Sequence, residues 1–273
     1  MLGQRVIVTV IILPLAILMI YFGGFFYQGL IILFLAAAAW EYMRLLNRMN
    51  LHPAKLLVMA GVIALGVSRA LFGFSYSSAI LTIMLLSLAA WHIMQYEQKE
   101  TSPAADFGAS ISVFMYIGFL GSYLLSLRAL PNGMWWTFLV LPTVWFSDSG
   151  AYIIGTLIGK HKIAPKTSPN KTWEGYFGGV ITGVLASLGL VLLYNRTFEA
   201  GLTVTPVEGA LLGLAISLLI TLGDLTESMI KRQSGEKDSG KLMPGHGGVF
   251  DRLDSLFWAA PIGYYLIFYL FIK

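Results

Sequence analysis

The chain has 273 residues, 57% of them hydrophobic and 12% charged, with a mean hydropathy of +0.74 and a formal net charge of +4. A soluble globular domain carries about a quarter charged residues, so water is not the main solvent, and no polar stretch is large enough to form a separate soluble domain. Cysteine is absent, which excludes disulfides, thiolate nucleophiles and zinc–sulfur sites, and no basic face on a soluble domain is offered to nucleic acid.

Apolar runs of roughly 20 residues, enough to cross a bilayer, recur along the chain. About nine spans are predicted, at 5–22, 25–46, 55–73, 78–96, 106–128, 134–159, 173–194, 207–231 and 252–272. The predicted fold is therefore all-α and polytopic. The first run follows Arg5 but meets aromatic residues and glycine, not a small-residue cleavage motif, and reads as a retained span. Turn chemistry separates the runs at Gly23-Gly24, His52-Pro53, Gly73 to Ser78, Thr101-Ser102-Pro103 and Pro131-Asn132-Gly133. Residues 1–104 read as a scaffold of helices. Residues 105–273 read as the catalytic region, with cytoplasmic loops at 160–172 and 232–251.

Orientation follows from Lys and Arg. With a cytoplasmic N-terminus and alternating spans, only Arg69, Arg128, Arg196 and Lys273 of the 18 cations lie outside. Trp40, Tyr42, Trp91 and Tyr96 sit near span ends and read as interfacial anchors, as do His52, His92 and His161. Small residues recur every fourth position at Gly155 and Gly159, at Gly175, Gly179 and Gly183, and at Gly209, Gly213 and Ser217. Such bare faces allow close helix approach. They would also serve a homodimer or line a groove.

Carboxylates inside a bilayer are costly and are functional candidates by default. Asp148 lies within the sixth span, and Asp224 and Glu227 lie in the last turns of the eighth. Asp224, Glu227 and Lys231 share one helical face by their spacing. The stretch from Ser228 to Ser255 is a cation-rich helix end, then a glycine loop, then a carboxylate-rich helix start. Lys231, Arg232, Lys237 and Lys241 are suited to neutralise phosphate charge. Gly245, Gly247 and Gly248 leave backbone N–H groups accessible to phosphate oxygens. Asp251 and Asp254 are suited as hard ligands for Mg²⁺. Phosphoryl-type transfer needs these parts: a metal, cationic clamps and positioning.

This stretch resembles the signature of phosphatidate cytidylyltransferases: S-x-x-K-R-x4-K-D at Ser228 to Asp238, P-x-H-G-G at Pro244 to Gly248, and D-R-x-D at Asp251 to Asp254. Met243 stands where Leu, Ile or Phe is usual. The resemblance extends upstream to Ser147-Asp148 and to Ser168-Pro169-Asn170-Lys171-Thr172-Trp173-Glu174-Gly175, where Asn170 often is Lys. Residues 1–100 match only in general hydrophobicity. The resemblance implies an enzyme of the inner (plasma) membrane that joins CTP to phosphatidate, giving CDP-diacylglycerol and pyrophosphate. It implies catalytic roles for Asp224, Asp251, Lys231 and His246, and metal binding by Asp224 and Asp251 with support from Asp148 and Asp254. Substrate binding would fall to Ser168, Lys171, Thr172, Glu174, Arg232, Lys237, Asp238, Gly247, Gly248 and Arg252. The expected cofactor is Mg²⁺, with room for a second or monovalent cation.

Two alternatives come from other classes. A secondary transporter would place its carboxylates near the midplane of matching broken helices, whereas here they crowd beside a basic glycine loop. Another CTP-dependent lipid kinase or transferase is the closer alternative, but the D-G-x2-A-R…G-x3-D-x3-D pattern of CDP-alcohol phosphotransferases is absent.

Overall fold

The computed structural model describes residues 14–98, 102–197, 204–243 and 247–272. Eight helical segments among them are long and apolar enough to cross a membrane: Gly24–Arg48, Lys55–Phe72, Ser77–Glu97, Pro103–Ala129, Gly133–Ile158, Trp173–Arg196, Pro206–Gln233 and Phe250–Phe271. They coincide with the second to ninth predicted spans. Of the first predicted span, residues 14–22 are helical, and the rest lie outside the described residues. Large apolar side chains stand out from these helices, Phe25 at 81% exposure and Leu157 at 76%. Water would not tolerate such surfaces on this scale, and acyl chains would.

In chain order the elements are α1 (Gly24–Arg48), α2 (Lys55–Phe72), α3 (Ser77–Glu97) and α4 (Pro103–Val113). A π-helical turn, Phe114–Leu120, carries α4 towards α5 (Tyr123–Ala129). Then follow α6 (Gly133–Ile158), β1 (Lys162–Ala164), β2 (Ser168–Thr172), α7 (Trp173–Thr197) and α8 (Pro206–Gln233). The last elements are α9 (Phe250–Leu253) and α10 (Leu256–Leu266), with a second π turn at Ile267–Phe271. A small antiparallel hairpin, β1–β2, pairs Lys162 with Thr172 and Ala164 with Ser168 and is the one sheet among the described residues.

The described residues form two compact units. One contains residues up to Ser126 together with Ile230–Leu253; the other contains Leu127–Met229 and the residues from Asp254 onward.

In the first unit, Tyr27 donates its hydroxyl to the Leu124 carbonyl (3.0 Å), pinning α1 to the end of the fifth span. Ser110 on α4 accepts the Ala54 N–H (2.9 Å) and contacts His92 (2.9 Å), joining three segments at one hydroxyl. His92 is therefore a buried packing residue rather than an interfacial one. Arg69 is fully buried, its guanidinium 3.6 Å from the Phe74 ring centroid and hydrogen-bonded to Ser126. Such a desolvated cation–π contact is worth about 2 kcal/mol.

In the second unit the glycine faces do what small residues do in membranes. A Cβ on Gly175 would lie 3.0 Å from the Gly155 Cα, and one on Gly213 would lie 2.8 Å from the Gly183 carbonyl. The backbones of α6, α7 and α8 thus meet directly. Ser147 donates to the Gly179 carbonyl (3.0 Å) and Ser187 to the Gly209 carbonyl (2.7 Å), adding interhelical hydrogen bonds. The faces that could have served a homodimer are filled within one chain. Helix α8 starts on a capping box: Thr205 Oγ1 accepts the Glu208 N–H, and Glu208 returns its carboxylate to the Thr205 N–H (2.8 Å), with Pro206 at the first turn.

Candidate functional site

The signature residues divide between the two units. In the first, the last turn of α8 delivers Lys231, whose ammonium meets Asp251 Oδ1 at 2.7 Å. The other oxygen, Oδ2, accepts the backbone N–H groups of Ser239 (2.9 Å) and Gly248 (2.7 Å) and lies 2.9 Å from the Ser239 hydroxyl. Gly247 and Gly248 are thus closed around the protein's own carboxylate. Gly247 adopts a positive φ of 84°, and a Cβ there would stand 2.7 Å from Asp251 Oδ2. A single bridge pairs Met243 with Gly247, the Met243 N–H reaching the Gly247 carbonyl at 3.0 Å. Arg232, Lys237, Asp238 and Arg252 are exposed around this core. His246, with Pro244 and Gly245, lies outside the described residues.

A residue the sequence reading passed over completes this half. Glu41 of α1 is 2% exposed, and its Oε2 accepts the Phe250 N–H (2.9 Å) and lies 3.1 Å from Ser239 Oγ. One turn along, Arg44 donates to the Ser239 carbonyl (2.8 Å), and Tyr42 stacks on Phe250 at 5.3 Å. Tyr42 is accordingly buried, not an interfacial anchor, whereas Trp40, Trp91 and Tyr96 are exposed. The signal for Glu41 was present. It is a carboxylate in an apolar span, the criterion that singled out Asp148.

In the second unit, Asp224, Glu227 and Asp254 each place a carboxylate oxygen within 4.8 Å of the others. Spacing on α8 accounts for the first two, one turn apart. Gly223 accounts for the third: a Cβ there would sit 2.6 Å from the Asp254 carbonyl and 2.7 Å from Trp258. The absent side chain lets α8 approach the start of the ninth span. Lys171 forms an ion pair with Asp224 Oδ2 (2.6 Å), and Ser228 Oγ donates to Oδ1 (3.2 Å). Asp148 lies close enough to interact electrostatically with both Asp224 and Lys171. Glu227 is the addition here, buried at 1% exposure.

The hairpin that carries Lys171 is held by its neighbours. Thr172, buried, caps α7 by accepting the Gly175 N–H (3.2 Å), as N-cap threonines do. Glu174 bonds the backbone N–H groups of Lys160 (3.1 Å) and His161 (3.2 Å) and the His161 imidazole. In the arrangement described, Thr172 and Glu174 fix the hairpin, while Ser168 lies on β2 at its half-buried start. An ammonium has three donors, so the single bond from Lys171 to Asp224 leaves it capacity to hold an anionic oxygen.

Residues 3–270 match the cytidylyltransferase family. The chain is 33% identical to the phosphatidate cytidylyltransferase of Synechocystis sp. across 97% of its own length and 96% of that protein. It is 35% identical to the Pseudomonas aeruginosa phosphatidate cytidylyltransferase, covering 96% of this chain and 95% of the relative. To the Staphylococcus saprophyticus protein of the same description it is 32% identical, covering 86% and 89%. The similarity therefore runs through the N-terminal helices as well as the signature.

Proposed function

Because the chain belongs to the cytidylyltransferase family, we propose that it is a phosphatidate cytidylyltransferase, converting phosphatidate and CTP to CDP-diacylglycerol and pyrophosphate. The match across residues 3–270 carries this reading. A phosphate oxygen of phosphatidate attacks the α-phosphorus of CTP. The bond from that phosphorus to the β-phosphate's bridging oxygen breaks, and pyrophosphate leaves. The nucleophile belongs to the lipid, so no protein nucleophile is required, and the protein's work is positioning and charge compensation.

Lys171, already oriented by Asp224, holds phosphate oxygens with its remaining donors. Lys231 is held by Asp251, and Arg232, Lys237 and Arg252 stand exposed where an anionic nucleotide would enter. The three clustered carboxylates, Asp224, Glu227 and Asp254, suit a hard divalent cation by donor type and spacing, with Asp148 beside them. Mg²⁺ bound there would supply positive charge that offsets repulsion between the two anionic reactants and favours the leaving pyrophosphate.

The purified protein, reconstituted with phosphatidate, is expected to transfer radiolabel from [α-³²P]CTP into the lipid phase but none from [γ-³²P]CTP. Lipid labelling from the γ position would make it a kinase. No labelling from either would overturn the assignment.

We place the enzyme in the plasma membrane with loops 160–172 and 232–251 on the cytoplasmic side, where CTP is found. Two spans, Trp173–Arg196 and Pro206–Gln233, separate the loops, and an even number returns the chain to the same side. Lys162 and Lys241 are both exposed, and a single cysteine at either is unique in this cysteine-free chain. Neither is expected to react with an impermeant thiol reagent in intact cells, and both should react after lysis. Labelling of both from outside would reverse the topology, and labelling of one alone would overturn the two-span arrangement.

A further inference from the structure

We infer that Glu41, on helix α1, is a positioning residue for the signature loop, acting on Asp251 through Ser239. The inference rests on the cytidylyltransferase reading for its kinetic consequence, but its geometry stands independently.

Three observations within the first unit converge. Glu41 Oε2 accepts the Phe250 N–H (2.9 Å) and lies 3.1 Å from Ser239 Oγ, whose one proton it shares with Asp251 Oδ2, so it touches both ends of the loop. Ser239 in turn places both its backbone N–H and its hydroxyl 2.9 Å from Asp251 Oδ2, while Arg44 fixes its carbonyl. The loop glycines are also shaped to this carboxylate. A Cβ at Gly240 would fall 1.8 Å from Glu41 Oε1, and one at Gly248 would fall 2.3 Å from Oε2. Gly248, whose pattern suggests a phosphate cradle, and Gly240 are thus both required by Glu41.

The consequence is a chain of contacts from Glu41 to Ser239 to Asp251 Oδ2, leaving Oδ1 aimed at Lys231. Removing Glu41 would leave the Phe250 N–H without its side-chain acceptor and take from Ser239 the carboxylate on its other side, letting the loop shift. Misplacement by about 1 Å costs roughly 100-fold in rate. The exposed cations Arg232, Lys237 and Arg252 keep their charge for the anionic substrates, so most of the loss belongs in kcat.

Glutamine gives a discriminating variant. Its amide oxygen can occupy the Oε2 position and keep both contacts, with charge lost but shape retained. Glu41→Ala is expected to lower kcat about 100-fold, with KM for CTP and for phosphatidate changed less than about threefold. Amide exchange at Phe250 should quicken by about tenfold, the scale of one lost hydrogen bond. Glu41→Gln should restore near-wild-type exchange and most of kcat. Ser239→Ala should slow turnover, and combining it with Glu41→Ala should add little, because the two residues act as one unit.

Wild-type kcat in Glu41→Ala, or a loss in Glu41→Gln as large as in Glu41→Ala, would overturn the proposal. If Glu41→Ala is not monodisperse in detergent, the Glu41→Gln and Ser239→Ala pair decides. Wild-type exchange at Phe250 in Glu41→Gln together with slowed turnover in Ser239→Ala supports the chain of contacts, and fast exchange at Phe250 in Glu41→Gln or wild-type turnover in Ser239→Ala refutes it. Exchange is read without substrate, so a failure to make CDP-diacylglycerol would refute the activity and leave the loop measurement intact.

Discussion

Asp251→Asn is expected to lower kcat by roughly 100- to 1,000-fold, the scale of losing one preorganised electrostatic group, in protein that still inserts. The reason lies in how the two carboxylate oxygens are used. Oδ2 accepts three donors from Ser239 and Gly248, so the asparagine oxygen must face them. Its amide NH₂ is then driven against the Lys231 ammonium, where Oδ1 had accepted at 2.7 Å. Donor meets donor. The pair is sheltered, with side-chain exposures of 15% for Lys231 and 7% for Asp251. Removing one member of such a pair costs about 3–5 kcal/mol, so the melting temperature in detergent should fall as well.

A second substitution separates stability from chemistry. Lys231→Gln in the Asp251→Asn background lets two amides pair, and it should recover part of the lost melting temperature with no recovery of turnover. Measured for both single variants and the double, coupling in stability without coupling in activity is the expected pattern. Asp251→Asn with turnover within tenfold of wild type would show that the pair is only structural.

The sequence made the spans legible because membrane crossing is written in local composition. Twenty apolar residues flanked by turn residues leave little freedom, and the helices from Gly24 to Phe271 fall where hydropathy puts them. The chemistry was legible where it is local too: Asp224, Glu227 and Lys231 follow from helical spacing, and Thr172 before Trp173 marks a helix start. What escaped was contact over long separations. Glu41 reaches Ser239 across 198 positions and Phe250 across 209. No periodicity reports such a pairing.

The glycines illustrate the same limit. Gly248 reads as a phosphate cradle, yet its N–H is given to Asp251, and the space beside it is filled by Glu41. Glycine in a sequence announces a close approach but not its partner. Tyr42 and His92 were misplaced for a related reason. An amphipathic ring near a span end is as well suited to a buried polar contact as to the bilayer interface, and only the fold chooses. The hairpin β1–β2 is too short to be seen in pattern. Its base is held by Glu174, which accepts the Lys160 and His161 N–H groups, and those contacts are tertiary.

The second large effect is expected at Asp224. Asp224, Glu227 and Asp254 gather oxygens within 4.8 Å, and three carboxylates that close repel one another unless positive charge lies among them. Lys171 compensates Asp224 directly at 2.6 Å. A divalent cation among the three oxygens would add to that compensation, and hard cations depend on carboxylate charge more than on shape. Asp224→Asn retains shape, and its oxygen can still accept from Ser228. It should lower kcat at least about 100-fold and raise the Mg²⁺ concentration needed for half-maximal activity. Glu227→Gln should raise that concentration too, although Glu227 lies outside the familiar signature and is buried at 1% exposure.

Activity alone would not separate loss of a ligand from loss of substrate binding, so a second readout is needed. A cation that binds the folded protein raises its melting temperature by mass action. Titrating Mg²⁺ or Mn²⁺ against wild-type protein without nucleotide should therefore raise the melting temperature in a saturable way. The curve should move to higher concentration in Asp224→Asn, Glu227→Gln and Asp254→Asn. Lys171→Gln should move it the other way, because the competing ammonium is gone, while raising KM for CTP or phosphatidate. Identical titration curves for wild type and all three carboxylate variants would show that this cluster does not hold the metal, whatever the variants do to turnover.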